Sequence, residues 1–164
     1  METLNDGIGG YTSVQWWNAR RSADFSGYDC AIINLGINDS LKSISAADTT
    51  TALENIINAL RMANNGIKIF LATVVPAYSN GTTQFDAVNA TIKTVAQTNG
   101  CYLIDLSEYS HTRKNTVSEA GHLTAWGYYT LAKDYIAAIS YIMHQNRSAF
   151  KYVQFIGTDY TYTG

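Results

Sequence analysis

A single proline, two cysteines and three histidines among 164 residues leave little material for stiff linkers, disulfide frameworks or histidine-rich metal sites. No Pro/Ser-rich stretch or run of like charge divides the chain, and a hydrophobic content of 46% is enough to build one sizeable core. One domain spanning residues 1–164 is expected. The 11 basic and 13 acidic residues are scattered and give a formal charge of -2, so no basic stripe for nucleic acid and no polybasic arm for a membrane surface is present. Met1-Glu2-Thr3-Leu4-Asn5 lacks the basic start and apolar stretch of a signal peptide, and no run approaches the length that spans a bilayer. The chain reads as soluble.

What is present is an alternation of short apolar runs with helical periodicity, the pattern of a parallel sheet covered on both faces. Cys30 to Leu35, Ile67 to Val75 and Cys101 to Leu106 are continuous apolar runs, as expected of strands buried on both faces. Thr12 to about Asp24 is predicted helical. Leu53, Ile56, Ile57 and Leu60 repeat at helical spacing within 46–65, and Phe85, Val88, Ile92 and Val95 do the same before Asn99-Gly100. A last helix is predicted from about Thr124 to Gln145, with Leu131, Tyr135, Ile139 and Ile142 on one stripe. The cysteines start the first and third strands. If sequential strands are neighbours, two spacings of about 4.8 Å separate the cysteines, beyond the roughly 7 Å limit for a disulfide. Both are read as buried free thiols.

Three short blocks stand out. Gly36-Ile37-Asn38-Asp39 ends the first apolar run, which places a side-chain amide at the carboxyl edge of a sheet, where open α/β folds carry their chemistry. Asn5-Asp6-Gly7-Ile8-Gly9-Gly10-Tyr11-Thr12 is a glycine-rich turn before a helix, and Glu119-Ala120-Gly121-His122-Leu123-Thr124 sets a carboxylate and an imidazole before the last helix. Each alone has a plainer explanation: Asn and Asp favour turns, and a carboxylate at a helix start complements the helix dipole. In this order, with His122-Leu123-Thr124-x-x-Gly127-Tyr128 following, they resemble the SGNH (GDSL-type) hydrolase family.

The resemblance implies a three-layer α/β/α, flavodoxin-like fold with a parallel sheet, and a metal-independent, cofactor-free ester hydrolysis. Gly10 would lend a backbone N–H and Asn38 a side-chain N–H to an oxyanion hole. Losing one such donor typically costs about 100- to 1000-fold in rate. His122 would take the proton of a serine and later protonate the leaving alcohol, while Glu119, where the family usually has Asp, would hold the imidazole ring.

The Gly-Asp-Ser block that supplies the family's nucleophile does not occur in this sequence. In the family that block ends a first strand, followed by a helix and a second strand, all before the equivalent of Asn5. The chain is therefore expected to be the C-terminal part of a longer polypeptide, with its N-terminal strand or strands missing and the nucleophile supplied from outside. Ser40 mimics the missing tripeptide but lies beyond the oxyanion residue on the same turn, and Ser13 enters a helix. Neither is expected to attack. Without the first strand, Cys30 to Leu35 becomes an exposed apolar edge that something must cover. The candidates are the segment Tyr152 to Ile156 or, preferred here, upstream polypeptide.

Family members act on esters, often acyl groups on carbohydrate or lipid. Tyr11, Trp16, Trp17, Trp126 and Tyr128 lie near the glycine turn and the His122 block, where aromatic rings can stack on a sugar. Helix-packing core is the reading preferred here for the three tryptophans. His111 and His144 lack the spacing of a metal site. The alternative function is a catalytically silent domain that binds glycan or supports a larger assembly, since high Tyr, Thr and Asn content resembles phage tail and other surface-attached esterase domains.

Overall fold

The computed structural model describes residues 3–75, 83–109 and 122–150. Along the chain run α1 (Ser13–Arg20), β1 (Cys30–Ile33), α2 (Ile37–Leu41), α3 (Ala46–Ala63), β2 (Lys68–Ala72), α4 (Asp86–Thr98), β3 (Tyr102–Ile104), α5 (Leu106–Tyr109) and α6 (Ala125–Gln145). The strands form a parallel sheet in the order β1-β2-β3. Register pairs Cys30 with Lys68 and Ile33 with Leu71, then Phe70 with Tyr102 and Ala72 with Ile104.

Strand alternation sorts the core into two layers. Ile69 and Leu71 of β2 face Leu53, Ile56, Ile57 and Leu60 of α3 together with Val88, Ile92 and Val95 of α4. Phe70 and Ala72 face the other way, with Ile104, toward Leu131, Tyr135, Ala138, Ile139 and Ile142 of α6. The apolar stripes of the sequence are thus the buried faces of α3, α4 and α6, and the α/β/α layering is present.

The structure departs from the sequence reading at β1. Among the described residues, its neighbours fill only one side and one edge. Ile33 packs into the α3 and α4 layer, but Ile32 points to the α6 side, where no described helix reaches over β1, and remains 49% exposed. Cys30, of the same parity, is exposed and Cys101 only half-buried. Both thiols are free, yet neither is buried as expected. A strand pairs on both edges and packs on both faces only when neighbours exist for each.

Caps and turns fix the remaining geometry. Thr12 and Gln15 form a reciprocal capping box at the start of α1. The expected Gly-x-Asn-Asp turn is instead a one-turn helix, α2, entered through Gly36 at φ 132°. A Cβ at Gly36 would lie 3.0 Å from Val88 Cγ2 and 3.2 Å from both Ile92 Cδ1 and Val74 Cγ2, so both dihedral and space require glycine there. Glu119, His111 and the segment 152–156 lie outside the described residues.

Candidate active site

Gly10 and Asn38 are brought together by side chains of α2 and of Lys42, the residue that ends it. Asn38 Nδ2 donates to the Tyr11 carbonyl at 3.1 Å, and Lys42 Nζ donates to the Gly10 carbonyl at 2.6 Å. Between these two contacts, Asp39 accepts the Ser13 backbone N–H at 2.9 Å and the hydroxyls of Ser13 and, at 3.1 Å, Thr49. Asp39 is 1% exposed, so α2 is pinned through a buried carboxyl to the starts of both α1 and α3.

Gly10 holds a positive φ of 78° on an open surface, a conformation that exposes backbone amides at little steric cost. Among the described residues the Gly10 N–H has no partner and the second N–H of the Asn38 amide has none. Two donors on adjacent turns, without internal acceptors, suit an incoming oxyanion.

His122 precedes α6 and is exposed. Phe150, just past the other end of α6, packs at a tilt against Tyr102 at the amino end of β3, with ring centroids 5.1 Å apart. α6 therefore runs antiparallel to β3, which sets His122 toward the carboxyl end of the sheet, the end from which α2 departs. No described contact joins His122 to Gly10 or Asn38, and its ring has no hydrogen-bond partner among the described residues. Thr124 caps α6 by accepting the Gly127 N–H at 3.1 Å.

The internal serines are otherwise engaged. Ser13 is fully buried with its hydroxyl on Asp39, and Ser40 Oγ donates to the Gln84 carbonyl at 2.9 Å. Along the open edge of β1 lies a groove of about 320 Å³, bounded by Leu4 to Gly7 on one side and Cys30 to Leu35 on the other, with Trp16, Phe25 and Tyr28 in its walls. Asp6 holds the far bank in place: its carboxylate takes a two-pronged contact from Arg20 at 2.7 Å, and its carbonyl accepts from Trp16 Nε1 at 2.9 Å.

The preferred assignment of all three tryptophans to core holds for Trp16 and Trp17, which pack against it. Trp126 is 63% exposed. It pairs with Tyr129 at 5.3 Å, and Lys133 Nζ sits 4.8 Å above the Tyr129 ring. Among the described residues, the first turns of α6 have too few neighbours to bury these rings. Among the described residues no cluster of His, Cys, Asp or Glu is arranged to hold a metal ion, and no helix is long and apolar enough to cross a membrane. The residue missed in the sequence was Asp39, whose partners lie 26 and 10 positions away.

Comparison with known proteins bears on the fold and the family. The structure is similar to a family 3 carbohydrate esterase from Talaromyces cellulolyticus (TM-score 0.66, 19% identity, covering 85% of this chain and 71% of that one). It is also similar to the acetyl xylan esterase AlAXEase (0.66, 21%, 81% and 78%). A peptidoglycan O-acetylesterase matches at TM-score 0.70 and 21% identity, over 87% of this chain and 46% of the other. No curated protein gives a significant match to the sequence. The model of the GDSL-like Lipase/Acylhydrolase family matches residues 1–129, which include the glycine turn, the Asn38 block and His122, and the chain belongs to that family.

Proposed function

We propose that this chain carries the oxyanion and general-base half of an SGNH-type serine hydrolase for short acyl or acetyl esters, with carbohydrate esters as the preferred class. The observation that carries the proposal is the clamp that holds the Gly10 turn against Asn38, with an N–H on each that has no partner among the described residues.

In this reading a serine hydroxyl attacks the ester carbonyl while His122 takes its proton. The Gly10 and Asn38 N–H groups hold the resulting oxyanion, and the intermediate collapses as His122 protonates the departing alcohol. Glu119 is the proposed partner that orients His122. Water then repeats the sequence on the acyl serine.

The serine is proposed to arrive on a strand from upstream polypeptide, so that residues 1–164 form the C-terminal part of a longer single domain. Two features support this: the occupied hydroxyls of Ser13 and Ser40, and the groove between Leu4–Gly7 and β1, which has the apolar lining a buried parallel strand requires. The activities of similar structures, on acetyl xylan and on peptidoglycan O-acetyl groups, support a carbohydrate ester. So do the exposed Trp126 and Tyr129 rings near His122, since aromatic faces stack on sugars.

The test is complementation. The isolated chain should not turn over p-nitrophenyl acetate. Adding the upstream Gly-Asp-Ser segment, fused or as a separate chain, should restore hydrolysis, and His122→Ala should abolish it again. If the isolated chain is active and Ser40→Ala or Ser13→Ala kills the reaction, the nucleophile is internal and the site must be redrawn. A completed chain that binds glycan without hydrolysis would establish a silent binding domain instead.

A further inference from the structure

We infer that Asp39 is the positioning residue of the oxyanion hole, fixing the separation between the Gly10 and Asn38 donors. The inference rests on the proposed role of those two groups. No described contact joins Asp39 to His122. It is 1% exposed and binds elements on both sides of the hole.

One oxygen accepts the backbone N–H of Ser13, three residues beyond Gly10, at 2.9 Å. The other accepts the hydroxyls of Ser13 and Thr49. Asp39 is also the direct neighbour of Asn38 on α2, and its backbone carbonyl accepts the Ile44 N–H at 2.8 Å, which closes the turn after α2. A rigid link therefore runs from the glycine turn, through Ser13 and the Asp39 carboxyl, to the Cα next to Asn38. The more exposed Asn38 to Tyr11 bond cannot hold this spacing alone, because water competes for both of its groups.

The alternative is that Asp39 only stabilises the fold. The two differ in where a substitution is felt. A displaced oxyanion donor weakens the transition state more than the bound ester, so kcat falls while KM stays. It also matters only while Asn38 is present.

Asp39→Ala removes all three acceptor contacts. Asp39→Asn keeps them, since Oδ1 can accept the Ser13 N–H and Nδ2 can donate to the two hydroxyls, each of which also accepts. In the completed enzyme, Asp39→Ala should lower kcat by about 10- to 100-fold, the scale of a small misplacement at a reacting centre, with KM changed by less than about twofold. Asp39→Asn should stay within about threefold of the parent. In an Asn38→Ala background, Asp39→Ala should cost nothing further. Equal losses in both backgrounds overturn the inference.

A second measurement, on the 164-residue chain itself, keeps the inference testable if the completed enzyme proves inactive. By NMR, Asp39→Ala should expose the Ser13 amide to exchange and shift both the Gly10 amide and the Asn38 side-chain signals, whereas Asp39→Asn should leave them near their original positions. Should Asp39→Ala fail to fold, Ser13→Ala removes one contact only and should shift the same signals by less. Unmoved Gly10 and Asn38 signals refute the clamp. An inactive completed enzyme with shifted signals refutes the proposed function but not the clamp.

Discussion

Asn89 on α4 exchanges two hydrogen bonds with the backbone of Val74: its Oδ1 accepts the Val74 N–H at 2.7 Å and its Nδ2 donates to the Val74 carbonyl at 2.9 Å. The side chain is 4% exposed and serves as a substitute strand where the chain leaves β2. Val74 in turn lines the space beside Gly36 at the entrance to α2, where an added Cβ would come within 3.2 Å of its Cγ2. A helix side chain thus holds the loop against which the Asn38 turn is built.

Replacing Asn89 by alanine leaves the Val74 N–H and C=O buried without partners. Each orphaned group costs about 1–3 kcal/mol, so Asn89→Ala should destabilise the fold by about 2–6 kcal/mol in urea or thermal unfolding. Asn89→Asp should recover only the bond from the Val74 N–H, because a carboxylate cannot donate to the carbonyl. Equal stabilities for Asn89→Ala and the parent would mean that water satisfies Val74 instead.

The layers of the fold were legible because they depend on local periodicity. Leu53, Ile56, Ile57 and Leu60 sit on one face of any helix through 46–63, and strand parity then divides Phe70 from Ile69 and Leu71. Gly36 was legible as a turn because its neighbours name the motif, although the turn proved to be a short helix. The Asp39 and Asn89 bonds were not legible, since a buried polar group finds its partner only after distant elements pack. Cys30 and Trp126 were misjudged for the same reason. Both are apolar residues in correctly identified elements, but exposure is decided by which neighbours those elements lack.

Asp105, just past β3, supports the carboxyl end of the sheet. Burial pushes its carboxyl up, but hydrogen bonds from Lys93, Ser107 and Thr73 together outweigh this and hold it below the usual carboxylate range. The Lys93 contact is 2.6 Å. A folded-state value below the unfolded one adds stability that is present above the unfolded value, about 3.9, and is lost as pH falls through the lower folded value. The advantage of the parent over Asp105→Asn should therefore be full at neutral pH and shrink below about pH 4. Urea midpoints measured across that range check it, and a difference that grows on acidification would contradict the assignment.

The exposed pair on α6 gives a substrate test independent of the chemistry. Trp126 and Tyr129 are centred 5.3 Å apart in the helix that follows His122. A stacked sugar ring is worth about 0.5–1.5 kcal/mol to an aromatic face, by analogy with aromatic pairs. In the completed enzyme, Trp126→Ala should raise KM about 3- to 10-fold for an acetylated oligosaccharide, while hydrolysis of p-nitrophenyl acetate stays within about twofold. Equal losses on both substrates would assign Trp126 to packing around the His122 loop.

Cys30 reports on the open edge of β1. The residue is exposed there, whereas Cys101 is half-buried with Arg61 Nη2 3.8 Å from its sulfur. Desolvation, and for Cys30 also the neighbouring Asp29, pushes the thiol of Cys30 up, and desolvation does the same to Cys101 against the opposing pull of Arg61. Both should react slowly at neutral pH and faster in alkali, since the thiolate is the nucleophile. Cys30 should be the faster of the two with a small disulfide reagent, and Cys30→Ser should remove the fast phase. A strand seated beside β1 pairs with its free edge and covers that thiol. Binding of the upstream segment should therefore slow the fast phase by about tenfold or more, as expected when reaction requires local opening. Restored esterase activity with an unchanged fast phase would show that the nucleophile reaches the site by a route other than the β1 groove.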